Sequence, residues 1–97
     1  MLKAFISQPM SNLSEEQILA VRKRATEKLE SMGYEVIDSY ITEEINANVP
    51  GLAYLARSLS LMANADAVYF AEGFANARGC RIEERCAKEY GIIRIYE

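Results

Sequence analysis

One acidic residue stands in the apolar face of a predicted helix, where a carboxylate can do chemistry. The stretch from Ala77 to Tyr90 has helical periodicity, and steps of about 100° per residue gather an apolar arc on one side. Glu83 falls inside this arc, one turn after Gly79 and one turn before Ala87. A carboxylate buried there must be paired, hydrogen-bonded or protonated, because burying a bare charge costs too much. The other members of the arc are Gly79, Ile82, Cys86, Ala87 and Tyr90.

The direction of Glu83 suggests a role in ligand binding or catalysis. Helical side chains lean toward the N-terminus, so Glu83 is expected to point back past Gly79, which has no side chain to block it. That direction leads to the end of the preceding strand, and the carboxyl ends of parallel strands are where ligands bind. The alternative is a structural role, in which Glu83 pairs with Arg78 or Lys88 or turns toward solvent.

A strand and a loop lead into this helix. The apolar run Ala67–Phe70 predicts a buried strand, and the loop Glu72–Asn76 follows it with turn-forming residues. In that loop Asn76 is either the helix N-cap or a ligand-binding residue. Arg78, at the start of the helix, either meets a phosphate or pairs with the acidic residue that opens the loop.

The first helix has the clearest local signals in the chain. Ser14 is a good N-cap and Gln17 follows three residues later, which together predict a capping box. Gly33 is placed to end the helix. The apolar stripe between these signals consists of Ile18, Val21, Ala25, Leu29 and Met32.

A second helix is predicted by apolar spacing, with Pro50 in its first turn. The stripe consists of Leu52, Leu55, Ala56, Leu59, Met62 and Ala63. Leu61 falls off this stripe and is expected to be exposed in a monomer. The segment 39–48 before the helix is acidic and asparagine-rich, which indicates a loop.

Strands alternate with helices along the chain, which predicts a single α/β domain over residues 1–97. The expected architecture is a three-layer sandwich around a small flavodoxin-like or Rossmann-like parallel sheet. The first and third strands are the most apolar, so the predicted strand order is 2-1-3-4. The site is then expected where the loop Ser7–Asn12 faces the loop Glu72–Asn76. The four predicted strands are Leu2–Ser7, Tyr34–Asp38, Ala67–Phe70 and Ile92–Tyr96.

Composition excludes several kinds of chemistry. The sequence has no histidine, so Ser-His-Asp and Cys-His catalysis and histidine-ligated metals are ruled out. Cys80 and Cys86 lie on different faces of one helix, about 9 Å apart along its axis, which suits neither a disulfide nor a zinc site. We therefore expect no metal and no cofactor.

Charge and hydropathy narrow the partners and the location. The net charge of −3 and the pI of about 5.0 argue against binding to a nucleic-acid polymer. No apolar run approaches the ~20 residues of a membrane span, and the sequence shows no signal peptide. We expect a cytoplasmic protein that does not bind membranes.

The first strand and the last helix together carry a family resemblance. The chain pairs ISQPM near its start with DAVYF-x-x-G-F-x-N-x-R-G-x-R-x-E-x-x-x-A near its end. This combination resembles the nucleoside 2-deoxyribosyltransferase superfamily, and in particular its short, uncharacterised branch described as a domain of unknown function. The resemblance covers residues 3–96 and is most specific over Asp66–Ala87.

The resemblance implies an activity and a nucleophile. In that superfamily a glycine four residues before a glutamate and an alanine four residues after it frame the nucleophile; Gly79, Glu83 and Ala87 match these positions. The characterised enzymes cleave the N-glycosidic bond of a 2-deoxynucleoside or its monophosphate, and water or another base resolves the covalent intermediate. A nucleoside or nucleotide is therefore the expected ligand. The residues expected to bind it are Ser7, Gln8, Pro9, Met10, Gly73, Asn76, Arg78 and Gly79.

Two positions depart from the family pattern and leave alternatives open. Ser58 stands where the enzymes carry an aspartate used on the base, and Ala77 stands where they carry an acid or a serine. One alternative is a nucleotide-binding or sensing module without turnover; another is an NAD glycohydrolase of the TIR type. Because the superfamily completes its sites across subunits, the resemblance also implies a homodimer or a larger even-numbered assembly.

Overall fold

The computed structural model describes residues 1–97 and contains all the predicted strands and helices. A short 3-10 turn at Phe74–Asn76 connects β3 to α3. No helix of the structure is both long enough and apolar enough to cross a membrane. The elements are β1 Lys3–Ser7, α1 Glu15–Ser31, β2 Glu35–Val36, α2 Pro50–Met62, β3 Ala67–Phe70, α3 Arg78–Glu89 and β4 Ile93–Tyr96.

The sheet has the predicted topology. Its four strands are parallel and follow the order β2-β1-β3-β4. In the central pair, Ile6 lies opposite Tyr69 and Ser7 lies opposite Phe70. Because all strands run the same way, their carboxyl ends share one edge of the sheet, and the order of connection reverses between β1 and β3.

The two faces of the sheet bury different sets of side chains. One face packs against α1, through Ala4, Ile6, Ala25, Leu29, Tyr69 and Ala71. The other packs against α2 and α3, through Phe5, Met62, Val68, Phe70 and Ala87. Side chains alternate along a strand, so Ser7 shares the face of Phe5 and lies beneath α3.

The ends of α1 confirm the capping prediction. Ser14 accepts a hydrogen bond from the Gln17 amide, and the Gln17 side chain accepts one from the Ser14 amide. At the other end Gly33 has φ of 90° and Tyr34 donates to the Leu29 carbonyl, as in a Schellman motif. Met32 is wrong as a core residue, because it is the C-cap and its exposed fraction is 49%.

The strands are shorter than the sequence predicts. β1 and β4 each begin one residue later than expected, and β2 covers Glu35–Val36 instead of Tyr34–Asp38. The Ile37 amide still donates to the Ala4 carbonyl, and beyond it the chain leaves the sheet. The turn that ends α1 also delays the start of β2, since Tyr34 is used there.

The second helix begins at Pro50 as predicted, but it packs differently from its expected stripe. Its only buried residue is Met62, and Leu59 and Leu61 pack against the same core cluster. Leu52 was expected in the buried stripe but is 62% exposed, so that expectation is wrong. Leu61 was expected to be exposed but packs against the core, so that expectation is wrong as well. The reason is that α2 rests on the sheet through its last turns, which leaves its first turn standing away from the core.

Candidate functional site

The carboxylate of Glu83 is buried between α3 and β1. The residue is only 7% exposed, and the Ser7 hydroxyl donates a hydrogen bond of 2.6 Å to its Oε1 atom. The predicted alternatives with Arg78 and Lys88 are wrong: Glu83 forms no salt bridge, and Lys88 pairs with Glu84. The Oε2 atom forms no hydrogen bond and is not sealed from solvent, so it is the oxygen available to a ligand.

The surroundings of Glu83 set its protonation. Burial raises the pKa of its carboxyl, and the hydrogen bond from Ser7 opposes this rise. Glu83 lies in the second turn of α3, beyond the first turn where the helix dipole acts most strongly. The result is a poorly solvated carboxylate with a single donor, which is the condition of a reactive oxygen nucleophile.

A cavity of about 560 Å³ opens beside Glu83, within the range of small-molecule sites. Its walls come from the end of β1 and the loop after it, from α2 and from the first half of α3. The loop Glu72–Asn76 approaches the β1 loop as expected, with Gly73 beside Pro9, but it does not line the cavity. This loop turns toward β4, because the Phe74 ring packs on the rings of Phe70 and Tyr96. The distances between ring centroids are 5.2 Å and 5.5 Å.

The structure brings six of the nine predicted site residues to this cavity: Ser7, Gln8, Met10, Arg78, Gly79 and Glu83. The other three, Pro9, Gly73 and Asn76, do not line it. A Cβ on Gly73, whose φ is +86°, would lie 3.5 Å from Pro9, so these two residues approach each other outside the cavity. Asn76 is exposed in the 3-10 turn, and the N-cap of α3 is Ala77 instead.

The buried face of α3 is rotated from the predicted arc. Cys80 is buried beside Glu83 and Ala87, whereas Ile82 is 37% exposed and Tyr90 is 82% exposed. Glu83 stays inside the buried face under either rotation. A helical wheel gives the spacing of residues on a helix but does not fix which residue lies nearest the sheet.

Gly79 and Arg78 border the open space of the cavity. A Cβ on Gly79 would meet no atom within 4 Å, so the missing side chain is not needed to clear a path for Glu83. Arg78 forms no salt bridge with Glu72, which rules out the expected pairing. Its guanidinium extends toward the start of α2, 3.9 Å from where a Cβ of Gly51 would lie.

Gln8 contributes a buried acceptor to the cavity wall. Its Nε2 atom donates to the Ile18 carbonyl at 3.0 Å, which fixes the orientation of the amide. Its Oε1 atom is buried without a hydrogen-bond partner, and the residue is 6% exposed. A buried acceptor left unpaired costs stability, so this oxygen is suited to a ligand that donates a hydrogen bond.

Sequence reasoning missed two polar residues of the cavity, Arg22 and Ser39. The Arg22 Nη2 atom donates to Ser39 Oγ at 3.0 Å, and the guanidinium lies over the Tyr40 ring at 5.9 Å from its centre. Arg22 lies off the apolar stripe of α1, and Ser39 lies in a segment with weak signals. The only indication in the sequence was the predicted pairing of β2 with β1, which places the residues after β2 near the end of β1.

The two residues that depart from the nucleoside 2-deoxyribosyltransferase pattern also lie at the cavity. Ser58 and Ala77 both line it, and neither supplies an acidic group. Tyr54 lines it too, with its hydroxyl donating to the Glu43 carbonyl and accepting from the Ile45 amide. Its ring is thus tied to the segment before α2.

The fold and the site together define a class of protein: a small parallel α/β domain with a buried, hydrogen-bonded glutamate at a cavity beside the sheet. The chain belongs to the family DUF4406, a domain of unknown function, whose model matches residues 2–96. No curated protein and no solved structure matches the chain.

Proposed function

We propose that the protein cleaves the N-glycosidic bond of a nucleoside or nucleotide, with Glu83 as the nucleophile. The observation that supports this proposal is that the two oxygens of one buried carboxylate differ in their hydrogen bonding. Oε1 is held by Ser7, whereas Oε2 has no hydrogen bond and is not sealed from solvent, and Glu83 lines the cavity. The resemblance to nucleoside 2-deoxyribosyltransferases supports it, since Glu83 occupies the position of their nucleophile.

The reaction has two steps that both pass through Glu83. First, Oε2 attacks C1′ as the C1′–N bond breaks; the base leaves with that electron pair and takes a proton from solvent. Because the transition state resembles an oxocarbenium ion, the carboxylate stabilises it before capturing the sugar as an ester. Second, water or another base attacks C1′ and releases a proton to solvent, the ester C1′–O bond breaks, and Glu83 is again a carboxylate.

The remaining wall suits a sugar and a base. Ser7 and Gln8 supply polar groups to the cavity wall at the end of β1, where the sugar hydroxyls are expected to lie. Apolar side chains line other parts of the cavity, where the flat face of a base buries its surface. These are Val49, Leu52, Tyr54, Leu55 and Ile82.

A second candidate is a module that binds a nucleotide without turnover. It is favoured by the absence of any acidic side chain except Glu83 among the cavity residues. No second carboxyl is therefore available to protonate a departing base, and the characterised enzymes use an aspartate where this chain has Ser58. The two candidates predict the same ligand and differ only in whether base is released.

The deciding experiment is incubation with a panel of nucleosides, deoxynucleotides and NAD, with free base measured by chromatography. Glu83→Gln keeps the shape of the side chain and removes its negative charge. We expect it to lower base release by at least about 10³-fold, the effect of losing ~4 kcal/mol of transition-state stabilisation.

The matched control is Glu89→Gln, on the same helix, whose carboxylate pairs with Arg85 outside the cavity. Glu84, the acidic residue next to Glu83, is a poorer control, because it accepts a hydrogen bond from Tyr96. Base release that survives in Glu83→Gln would refute the nucleophile. Ligand binding without base release from any substrate would favour the binding module.

A further inference from the structure

Arg22 is a partly buried cation of the cavity wall that forms no salt bridge. Its one recorded hydrogen bond runs to the neutral Ser39 hydroxyl. Its Nε atom is buried and has no partner at all. A desolvated guanidinium with an unpaired donor costs stability unless something else binds it.

Every arginine outside the cavity has a hydrogen-bond partner, and for Arg81 and Arg94 that partner is a backbone carbonyl. The chain has 14 acidic residues against 11 basic ones, so carboxylates are not scarce. Three arginines outside the cavity each pair with one: Arg24 with Glu97, Arg57 with Glu43, and Arg85 with Glu89. The second arginine that lines the cavity, Arg78, is again without a salt bridge. The two cations at the cavity are thus available to an anion from outside the protein.

The charges of the cavity are separated in space. Burial lowers the pKa of Arg22, with Asp38 and Tyr40 acting in the opposite direction. Neither Arg22 nor Arg78 lies within salt-bridge distance of the Glu83 carboxylate. A ligand that uses both charges must therefore carry its negative group some way from the atom that meets Glu83.

We propose that Arg22 and Ser39 bind a phosphate monoester of the ligand, with Arg78 at the mouth of the cavity as a second cation. The inference rests on the proposed function, since it places the phosphate on the same nucleotide whose glycosidic bond meets Glu83. The planar guanidinium suits phosphate oxygens, and Arg22 lines the cavity without a salt bridge to any carboxylate of the chain. Ser39 accepts from Arg22, so its own hydroxyl proton is free to donate to a phosphate oxygen.

The test compares the affinities of 2′-deoxynucleosides with those of their 5′-monophosphates, measured by calorimetry on the full chain. Binding is measured in the Glu83→Gln background, so that turnover does not consume the ligand. We expect the monophosphate of at least one base to bind about 10–100-fold more tightly than the nucleoside, the effect of charge-assisted hydrogen bonds. Arg22→Gln is expected to abolish that ratio and leave nucleoside affinity nearly unchanged.

Arg24→Gln is the matched control, two residues along α1, where Arg24 pairs with Glu97 outside the cavity. Ser39→Ala provides a second variant if Arg22→Gln does not fold, and it is expected to reduce the ratio in part. Equal affinity for nucleoside and monophosphate, no binding of either, or a ratio that survives Arg22→Gln would each overturn the proposal. Base release is scored separately on the chain with Glu83 intact. If base is released but the monophosphate binds no more tightly than the nucleoside, only the phosphate site is refuted. If the monophosphate binds more tightly but no base is released, only the catalytic proposal is refuted.

Discussion

Removing the Ser7 hydroxyl tests whether Glu83 is held in the cavity as a charged group. In Ser7→Ala the buried carboxylate loses its only hydrogen-bond donor. Hydrogen bonds to charged groups contribute about 1.5–3 kcal/mol, whereas those between neutral groups contribute about 0.5–1.5 kcal/mol. We expect Ser7→Ala to lower the free energy of unfolding at neutral pH by an amount in the first range. In a Glu83→Gln background, where a neutral amide accepts the bond, the loss should fall to the second range.

The pH dependence has a definite sign. The bond from Ser7 lowers the pKa of Glu83, so its contribution is present where Glu83 is ionised and is lost as the pH falls through that pKa. The loss of stability in Ser7→Ala should therefore shrink in acid toward the range for a bond between neutral groups. Burial has the opposite and larger effect, so the folded pKa of Glu83 lies above the ordinary value of 4.5. Glu83→Gln should thus be more stable than the unchanged protein at pH 8, with the gain vanishing below pH 4.5.

Urea unfolding of the four proteins between pH 4 and 8 measures these differences and yields the coupling energy between the two positions. Ser58→Ala is the control, since Ser58 also lines the cavity and its side chain forms no recorded hydrogen bond. A loss from Ser7→Ala that is the same at every pH would refute the reasoning. An equal loss in the Glu83→Gln background would do so as well.

Two further predictions concern a thiol and the assembly. Burial, with a smaller contribution from the Glu83 carboxylate and an opposing one from Ser7, raises the pKa of the Cys80 thiol to about 11. At pH 8 only about one Cys80 in a thousand is then a thiolate, so peptide mass spectrometry should find iodoacetamide on Cys86 first; equal labelling would contradict the burial argument. We also propose a homodimer or larger even assembly through the first turn of α2, where Val49 is 60% and Leu52 62% exposed beside the cavity. Light scattering should give at least twice the chain mass of 10.9 kDa, reduced by Leu52→Gln; a constant 10.9 kDa at all concentrations would argue against a shared site.

The strand order and the burial of Glu83 could be predicted because both depend on local patterns. Apolar runs identified β1 and β3 as central strands, and helical spacing placed Glu83 among buried residues. Spacing fixes relative positions only, so it could not show that Cys80 faces the sheet and Tyr90 does not.

The polar contacts of the site depend on residues far apart in the chain. Ser7 and Glu83 are 76 positions apart, and their hydrogen bond follows from the alternation of β1 combined with the seating of α3. Arg22 and Ser39 meet because the chain leaves the sheet after Ile37 and passes back over α1. No short motif encodes this path, which is why the sequence indicated Glu83 and Arg78 but not Arg22.

The weak packing of α2 against the sheet affects how a ligand can enter the cavity. This helix makes fewer contacts with any one strand than α1 or α3 makes, yet it supplies a large part of the cavity wall. Segments with few buried contacts open locally at a lower free energy than the whole domain unfolds. The amide hydrogens of α2 should therefore exchange with solvent earlier than those of β1 and β3. Local opening of α2 would then widen the cavity for a bulky ligand, while the sheet that contains Ser7 stays folded.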